Sequence, residues 1–476
     1  MFKRYVLVGS ILLTASYLAP LTAQVVGNSF NQTDLVCDPG YYALEGFSPQ
    51  GPQNPIKDAT MLDAWGLAIR PAGAGGHFWI ANAVTGSSAE YLGDVGGVAL
   101  HQDGLTSVPL DAPKDIDHSS PFLTGVVYNS ASDTAGQPVE FPVTGPAVND
   151  NTGASLGTVT GAAKFIFCTQ DGAINAWLSN TATAMVTAPL IIDYSKTSSF
   201  PYQANSVFTG VAMTQNVYTS TAFMHNGAGL TGNLVFAADQ RNNVIEVFGD
   251  RVDPVTKKDN PWSDITSLFH FQTPASVGDF HVFNITDIGN HLYVTYAEFN
   301  PDGDEGQEQI EGPGLGHIVE YNEDGTLAKD FNDGANTDTG VLDEPWGVAI
   351  APSTFGKFGG DVLVANFGSG TIAAFDPNTG NFVDYLKDSC GNNISIDGIW
   401  GLTFGNGVSL GDANSLYFTA GPNSEYNGLF GKLTVAPIPS DTPAMPVTAL
   451  LALAVLLIGV AVWPMSGRPR AILSVL

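Results

Sequence analysis

The chain has 476 residues, of which 46 are Asp or Glu and only 17 are Lys or Arg, so its formal net charge is −29 at pH 7. So acidic a body excludes nucleic acid and anionic lipid surfaces as its partners, because both repel negative charge. The 54 glycines and the scarcity of lysine favour strands and tight turns over long solvent-exposed helices.

The first 23 residues have the three parts of a secretory signal peptide. Lys3 and Arg4 provide a positive start, an apolar run extends from Tyr5 to Leu18, and small residues lead to Ala23. The alternative is an uncleaved N-terminal anchor, although the run is shorter than the about 20 residues that a membrane span needs. We expect residues 1–23 to be a signal peptide and the protein to be exported.

Six copies of a short apolar motif are spaced along the body, and five of them carry a central glycine. In chain order the copies occupy residues 64–69, 123–128, 208–213, 283–286, 345–350 and 399–404. The first and the last two contain Trp-Gly. A second apolar segment follows each copy, and turns of the Asp-Gly or Gly-x-Gly type precede a third segment in most units. With no helical periodicity, this repeat predicts strands throughout the body.

We therefore predict an all-β fold over residues 24–435, a six-bladed β-propeller with four antiparallel strands in each blade. A β-helix would need shorter repeats, and stacked sandwiches would not repeat one motif along the whole chain. Glycine in the first strand of each unit suits the crowded central axis, where backbones must approach closely. We expect the repeated tryptophan to pack between adjacent blades rather than to bind a ligand.

Several segments also carry a family resemblance, namely residues 35–40, 64–68, 165–172, 311–314 and 345–431. The two-strand unit resembles the NHL repeat of six-bladed propellers. Over residues 35–433 the chain is similar to an uncharacterised family of exported bacterial proteins that often carry PEP-CTERM-type tails. The resemblance implies a propeller and export, and it brings no activity.

A polar residue closes several of the second strands: Asn82, Thr169, Asp239 and Asn366. Each precedes a turn, where Asn and Asp cap the backbone with their own side chains, and we favour this interpretation. The alternative comes from lactonase-like propellers, which hold a divalent metal in the axial channel with such side chains. Asn82, Asp239 and Asn366 are therefore candidates for channel or turn residues.

An acidic loop interrupts the fourth unit between two predicted strands. Its residues Asp302, Asp304 and Glu305 have a spacing that suits Ca²⁺, which prefers several oxygen ligands on a turn-forming loop. The full EF-hand pattern is absent. A solvated surface loop is the alternative that we favour, and Ca²⁺ is the only cofactor that the sequence suggests.

The chain has three cysteines, Cys37, Cys168 and Cys390. Cys168 lies in an apolar strand, so we expect it to be a buried free thiol. In an oxidising compartment Cys37 and Cys390 are the better pair for a disulfide. Such a bond would reinforce the pairing of the N-terminal segment with the last blade.

The C-terminus has a proline-rich linker at residues 436–446, an apolar run at 447–463 and a basic tail at 464–476. The run is nearly long enough to span a membrane, and the arginines that follow it predict a cytoplasmic tail. A buried core helix is the alternative. The arrangement also resembles the PEP-CTERM sorting signals that exosortase-like enzymes recognise, although Met445-Pro446 stands near the place of the Pro-Glu-Pro motif. The helix is therefore predicted to be either a membrane anchor or a sorting signal.

Two functions fit these observations. The first is a non-enzymatic binding or scaffold propeller, periplasmic or at the cell surface, with a protein or small molecule on one propeller face. It is motivated by the absence of a Gly-x-Ser-x-Gly elbow or a His-Glu-x-x-His pattern. The alternative is a Ca²⁺-dependent lactonase- or hydrolase-like enzyme with its metal in the axial channel. Enzymatic activity is left open, and we favour the binding protein.

Overall fold

The computed structural model describes residues 27–44, 46–114, 119–130, 139–149, 152–180, 183–195, 206–214, 230–252, 259–300 and 310–437. The chain divides into a unit of Asn28–Ala436 and a second unit of Met1–Gly27 with Pro437–Leu476. The predicted signal peptide, apolar run and basic tail lie outside the described residues. Within the described ranges, no helix combines the length and the apolarity needed to cross a bilayer.

The first part of the unit contains six strands and one α-helix, which is the α-helix of the described ranges. They are β1 (Phe30–Cys37), α1 (Pro39–Tyr42), β2 (Ile56–Lys57), β3 (Ala64–Ala68), β4 (Phe78–Asn82), β5 (Ser87–Tyr91) and β6 (Ser107–Pro109). The next eight strands are β7 (Leu123–Tyr128), β8 (Pro142–Asn149), β9 (Ser155–Ala162), β10 (Phe165–Thr169), β11 (Ala173–Trp177), β12 (Ser179–Asn180), β13 (Thr183–Met185) and β14 (Leu190–Asp193).

The second part continues the pattern. Its strands are β15 (Phe208–Met213), β16 (Leu230–Asp239), β17 (Val244–Val252), β18 (Asp259–Asp264), β19 (His281–Ile288), β20 (His291–Ala297), β21 (Gly316–Asn322), β22 (Leu327–Asp330), β23 (Pro345–Ile350), β24 (Val362–Asn366), β25 (Ile372–Phe375), β26 (Phe382–Tyr385), β27 (Ile399–Phe404), β28 (Ser415–Ala420) and β29 (Leu429–Val435). Short 3-10 helices in the described ranges include Thr266–Leu268, Ala275–Val277 and Gly356–Phe358.

These strands form seven sheets. Five of them have the orders β3-β4-β5-β6, β7-β10-β11-β14, β15-β16-β17-β18, β19-β20-β21-β22 and β23-β24-β25-β26, and a sixth has the order β27-β28-β29-β1-β2. The first strand of each of these six sheets, here called its inner strand, contacts the inner strands of the two neighbouring sheets, and β27 contacts β3. A closed ring of sheets about one axis is the arrangement of a β-propeller, so the predicted all-β architecture is confirmed.

The prediction of six sheets is wrong, because the structure has a seventh. It has the order β12-β13-β8-β9 and is built from segments inserted between β7 and β10 and between β11 and β14. The hairpin β8-β9 is mostly exposed along β9 and contains no copy of the inner-strand motif. Because the repeat marks only inner strands, a sheet added within one blade leaves no trace in the count of repeats.

The ring closes through the N-terminal strand. β1 pairs antiparallel with β29 from Phe30 opposite Val435 to Cys37 opposite Leu429, which adds the start of the chain to the last blade. The predicted disulfide is absent: Cys37 is a free thiol buried in the core, and Cys390 is a free thiol on an exposed turn. Backbone hydrogen bonds therefore make the closure. Cys168 is a buried free thiol, as predicted.

Each inner strand has an irregular register at its motif. In β3, for example, Ala64 pairs with Asn82 and Leu67 with Ile80, so the Trp-Gly dipeptide forms a bulge. The glycine of this bulge lies against the next inner strand, since a Cβ on Gly66 would lie 2.7 Å from the Thr124 carbonyl oxygen. The expectation that glycine permits close approach at the axis is thereby confirmed.

We predict that Gly66→Ala lowers the free energy of unfolding by about 1–3 kcal/mol, because the added methyl group must push two inner strands apart. Gly104→Ala is the matched control, since a Cβ on Gly104 meets no atom within 4 Å. Chemical denaturation of both variants measures the difference. Equal stability of the two variants would show that the inner strands are not in close contact.

Candidate functional site

The six inner strands each place one side chain at the axis, directly before the glycine of the motif. Three of these residues are the tryptophans Trp65, Trp346 and Trp400, and a fourth is Phe283. Thr124 and Thr209 are the equivalent residues before the glycine in the second and third blades. In the fourth blade, Asn284 replaces the glycine. The axis is thus aromatic on one side and polar on the other.

The aromatic residues pack as one buried cluster. Trp65 stacks on Trp400 with ring centroids 3.7 Å apart, and Phe367 stacks on the opposite side of Trp400 at 4.0 Å. Trp346 meets Trp400 edge-on at 5.9 Å. These rings come from neighbouring blades, and the three tryptophans are at most 5% exposed. The prediction that tryptophan packs between blades is therefore confirmed.

A buried carboxyl group orients this cluster. The indole nitrogens of Trp65 and Trp400 both donate to Asp63, at 2.6 and 3.2 Å. The Trp346 indole donates instead to the carbonyl oxygen of Thr209, at 2.9 Å. Each of the three indole N–H groups in this cluster therefore has an acceptor, as a buried donor requires.

Asp63 belongs to a repeated acidic position that our sequence analysis missed. Asp63 and Glu344 both lie two residues before a motif tryptophan, and both have a φ of 50°; the equivalent Gly398 has a φ of 62°. Their carbonyl oxygens accept the same hydrogen bond, from Ala83 and from Phe367. The sequence signal for this position is an acidic residue or a glycine two residues before the tryptophan of every Trp-Gly copy.

These carboxyl groups are protonated more readily than usual. Burial, reinforced by the charges of Glu311, Asp343 and Glu425, raises the pKa of Glu344 to about 8. Glu344 is 1% exposed, and its Oε2 atom has no hydrogen-bond partner. Burial also raises the pKa of Asp63 well above its usual range, against the two indole hydrogen bonds.

A cavity of about 430 Å³ follows the axis on the far side of the motif glycines. Trp346 lines it together with apolar side chains that come after the glycine in each inner strand, namely Leu67, Val126, Val211, Ile285, Val348 and Leu402. Its polar lining includes Arg70, Ser130, Asn284 and Asp287. This cavity is the best-formed candidate for a binding site in the described part of the chain.

Asp287 forms an unusual pair with Glu323. Burial, reinforced by the neighbouring carboxyl group of Glu323, raises the pKa of Asp287 to about 8. Asp287 Oδ2 and Glu323 Oε1 are both buried, and neither accepts a hydrogen bond from an N–H or hydroxyl group. Two facing carboxyl groups satisfy one another only by sharing a proton, so the pair carries one negative charge instead of two.

The polar residues predicted at the ends of second strands do not meet. Asn82, Asp239 and Asn366 are each fully buried. Asp239 accepts from the Val207 and Asn242 amides at 3.1 and 3.2 Å, while Asn366 accepts from the Asp343 amide at 3.2 Å. Asn82 donates a long bond of 3.4 Å to the Ile80 carbonyl oxygen. Asp239 and Asn366 thus fasten the loops that enter their own blades.

The predicted calcium ligands Asp302, Asp304 and Glu305 lie outside the described residues. In the described ranges, no group of three or more His, Cys, Asp or Glu side chains is arranged to hold a metal ion.

No protein-family model matches the chain. Three uncharacterised proteins of Acanthamoeba polyphaga mimivirus are similar to it. One is 27% identical over 427 residues, which cover 84% of this chain and 87% of the relative. The others are 28% identical over 295 residues (60% and 46% covered) and 31% identical over 218 residues (45% and 52% covered). These viral relatives do not support the expected bacterial family or its PEP-CTERM-type signal.

Solved structures with some likeness include several enzymes. The alpha-L-arabinofuranosidase of Fusarium graminearum with arabinobiose has a TM-score of 0.41 and 11% identity, with 86% of this chain and 98% of that one covered. An inactive virginiamycin B lyase from Staphylococcus aureus with quinupristin has a TM-score of 0.34 and 12% identity, with 86% and 99% covered. These scores are too low to support an argument, so the fold rests on the strand pairing described above.

We predict that the free energy of unfolding falls as the pH rises from about 5 to about 8, because Glu344 keeps its proton in the folded chain over a range where the unfolded chain has lost it. Glu344→Gln should flatten this slope, since glutamine has no proton to lose. Melting temperatures measured across the range test the prediction. Asp338→Asn, at an exposed position, is the control and should keep the full slope; an unchanged slope in Glu344→Gln would contradict the assignment.

Proposed function

We propose that this protein is a binding propeller that takes a small molecule into its axial cavity. The observation that carries the proposal is the cavity itself, whose walls are apolar side chains from all six inner strands around a few polar groups. Pockets of this size and composition are typical of small-molecule sites. The ligand's body would contact residues such as Val126, Val211 and Leu402, with Trp346 at the aromatic end.

The rigidity of the walls supports this proposal. Cavity residues follow bulges whose positions are held by contacts between neighbouring blades. Thr124 donates to the Phe208 carbonyl oxygen at 2.8 Å, and Thr209 donates to that of Phe283 at 2.6 Å. Asn284 donates to the Trp346 carbonyl oxygen at 2.8 Å. A site preformed in this way loses little conformational entropy when it binds a ligand.

Export belongs to the same proposal. Residues 1–23 support secretion and residues 447–463 support attachment to a membrane, so the cavity would sample small molecules outside the cytoplasm. Fractionation of cells that express the full chain, compared with a variant ending at residue 446, tests this part. Recovery of both in the same soluble fraction would contradict membrane attachment.

We predict that Val126→Phe, which places an aromatic ring in the cavity, abolishes binding of an uncharged alkyl alcohol used as probe. The matched control is Val408→Phe, because Val408 is 62% exposed and lies outside the cavity lining. Titration calorimetry measures binding, and circular dichroism checks that both variants are folded. Equal binding by wild type and Val126→Phe would contradict the axial site.

A further inference from the structure

We infer that the axial cavity selects ligands with a cationic amine on an apolar body, and that the Asp287–Glu323 pair is the counter-ion of the amine. The inference rests on the proposed function, because it assigns a ligand class to that same cavity. Asp287 is the acidic residue of the cavity lining, and Glu323 lies behind it on the turn after β21.

The charges around the pair leave it without a cation of its own. Among the described residues, neither Asp287 nor Glu323 has a Lys or Arg partner. His291 lies near enough to Glu323 to favour the charged form of that carboxyl group. The His291 ring is also 3.0 Å from Glu320, and this second carboxylate competes with Glu323 for the imidazole. Arg70 also lines the cavity, and its guanidinium lies over the Tyr128 ring at 5.7 Å from the centroid.

Arg70 does not substitute for the missing cation. The groups that shift the pKa of Asp287 are Glu323 and the backbone of Asn290, together with burial, and Arg70 is not one of them. Two buried oxygen atoms, Asp287 Oδ2 and Glu323 Oε1, have no hydrogen-bond partner among the described residues. A buried carboxylate without a partner is costly, so the empty cavity keeps the proton and a ligand cation can replace it.

Binding is then a balanced exchange. The cationic ligand enters, Asp287 loses its proton to the buffer, and the ligand charge compensates the Asp287 carboxylate that lines the cavity. The apolar walls hold the hydrocarbon body and favour the same orientation. Since deprotonated Asp287 is the binding form, affinity for a permanent cation rises as the pH rises toward about 8 and is constant above it.

The experiment compares two probes on the full-length chain by titration calorimetry. One probe is butyltrimethylammonium, and the other is its uncharged isostere with carbon in place of nitrogen. We expect the cation to bind at least about tenfold more tightly at pH 8, as a charge-assisted contact in a buried site should. Near pH 7, buffers of different ionisation enthalpy should report the release of most of one proton for each cation bound.

Variants separate the inference from the proposed function. Asp287→Asn should remove both the preference for the cation and the proton release, while the uncharged isostere still binds. Asp338→Asn, an exposed acid outside the cavity, should behave as wild type. Circular dichroism verifies folding. Glu323→Gln provides a second variant should Asp287→Asn fail to fold: it should keep the preference for the cation and lose most of the proton release, because the neighbouring acid that raises the pKa of Asp287 is gone. Undiminished proton release in Glu323→Gln would contradict the inference.

The contrary outcomes are distinct. Equal affinity of wild type for the two probes, or a cation preference that survives Asp287→Asn, overturns the inference and leaves the axial site intact. Failure of both probes to bind wild type overturns the proposed function, and the inference with it.

Discussion

The close approach of six inner strands around one axis is the constraint on which the rest of this structure depends. In five of the six inner strands a bulge turns one side chain inward and the next residue is a glycine, which lets the backbones meet, as at Gly66, Gly125 and Gly401. Side chains then donate to carbonyl oxygens of the neighbouring blade, as Thr124 and Thr209 do. Packing and hydrogen bonding at the axis therefore fix the positions of all six blades at once.

The same constraint divides the axis into two chemical regions. Tryptophan before the glycine fills the centre with aromatic rings, and the buried indole nitrogens require acceptors, which Asp63 and the Thr209 carbonyl oxygen provide. Beyond the glycines the inner strands diverge enough to leave a cavity with apolar walls. Acids gather at both regions, with Asp63 and Glu344 before the motif and Asp287 in the cavity.

Burial of these acids has different consequences in the two regions. Asp63 is used structurally, because its two oxygen atoms accept the indole hydrogen bonds. Asp287 instead faces a space large enough for a ligand, and the neighbouring Glu323 carboxyl group raises its pKa. A carboxyl pair that must hold a proton when the cavity is empty is poised to exchange it for a cation, which connects the electrostatics of the fold to its proposed function.

The sequence by itself determined the all-β class, the number and place of the inner strands, the need for glycine at the axis and the packing role of tryptophan. These features follow from short-range constraints that repeat in every blade. Only the tertiary structure decided the seventh sheet, the register in which β1 pairs with β29 and the free state of Cys37, since each depends on pairing between distant segments. It alone brought Asp287, on β19, next to Glu323, on the turn after β21, because two such distant segments influence each other's pKa only after folding has placed them side by side and excluded water.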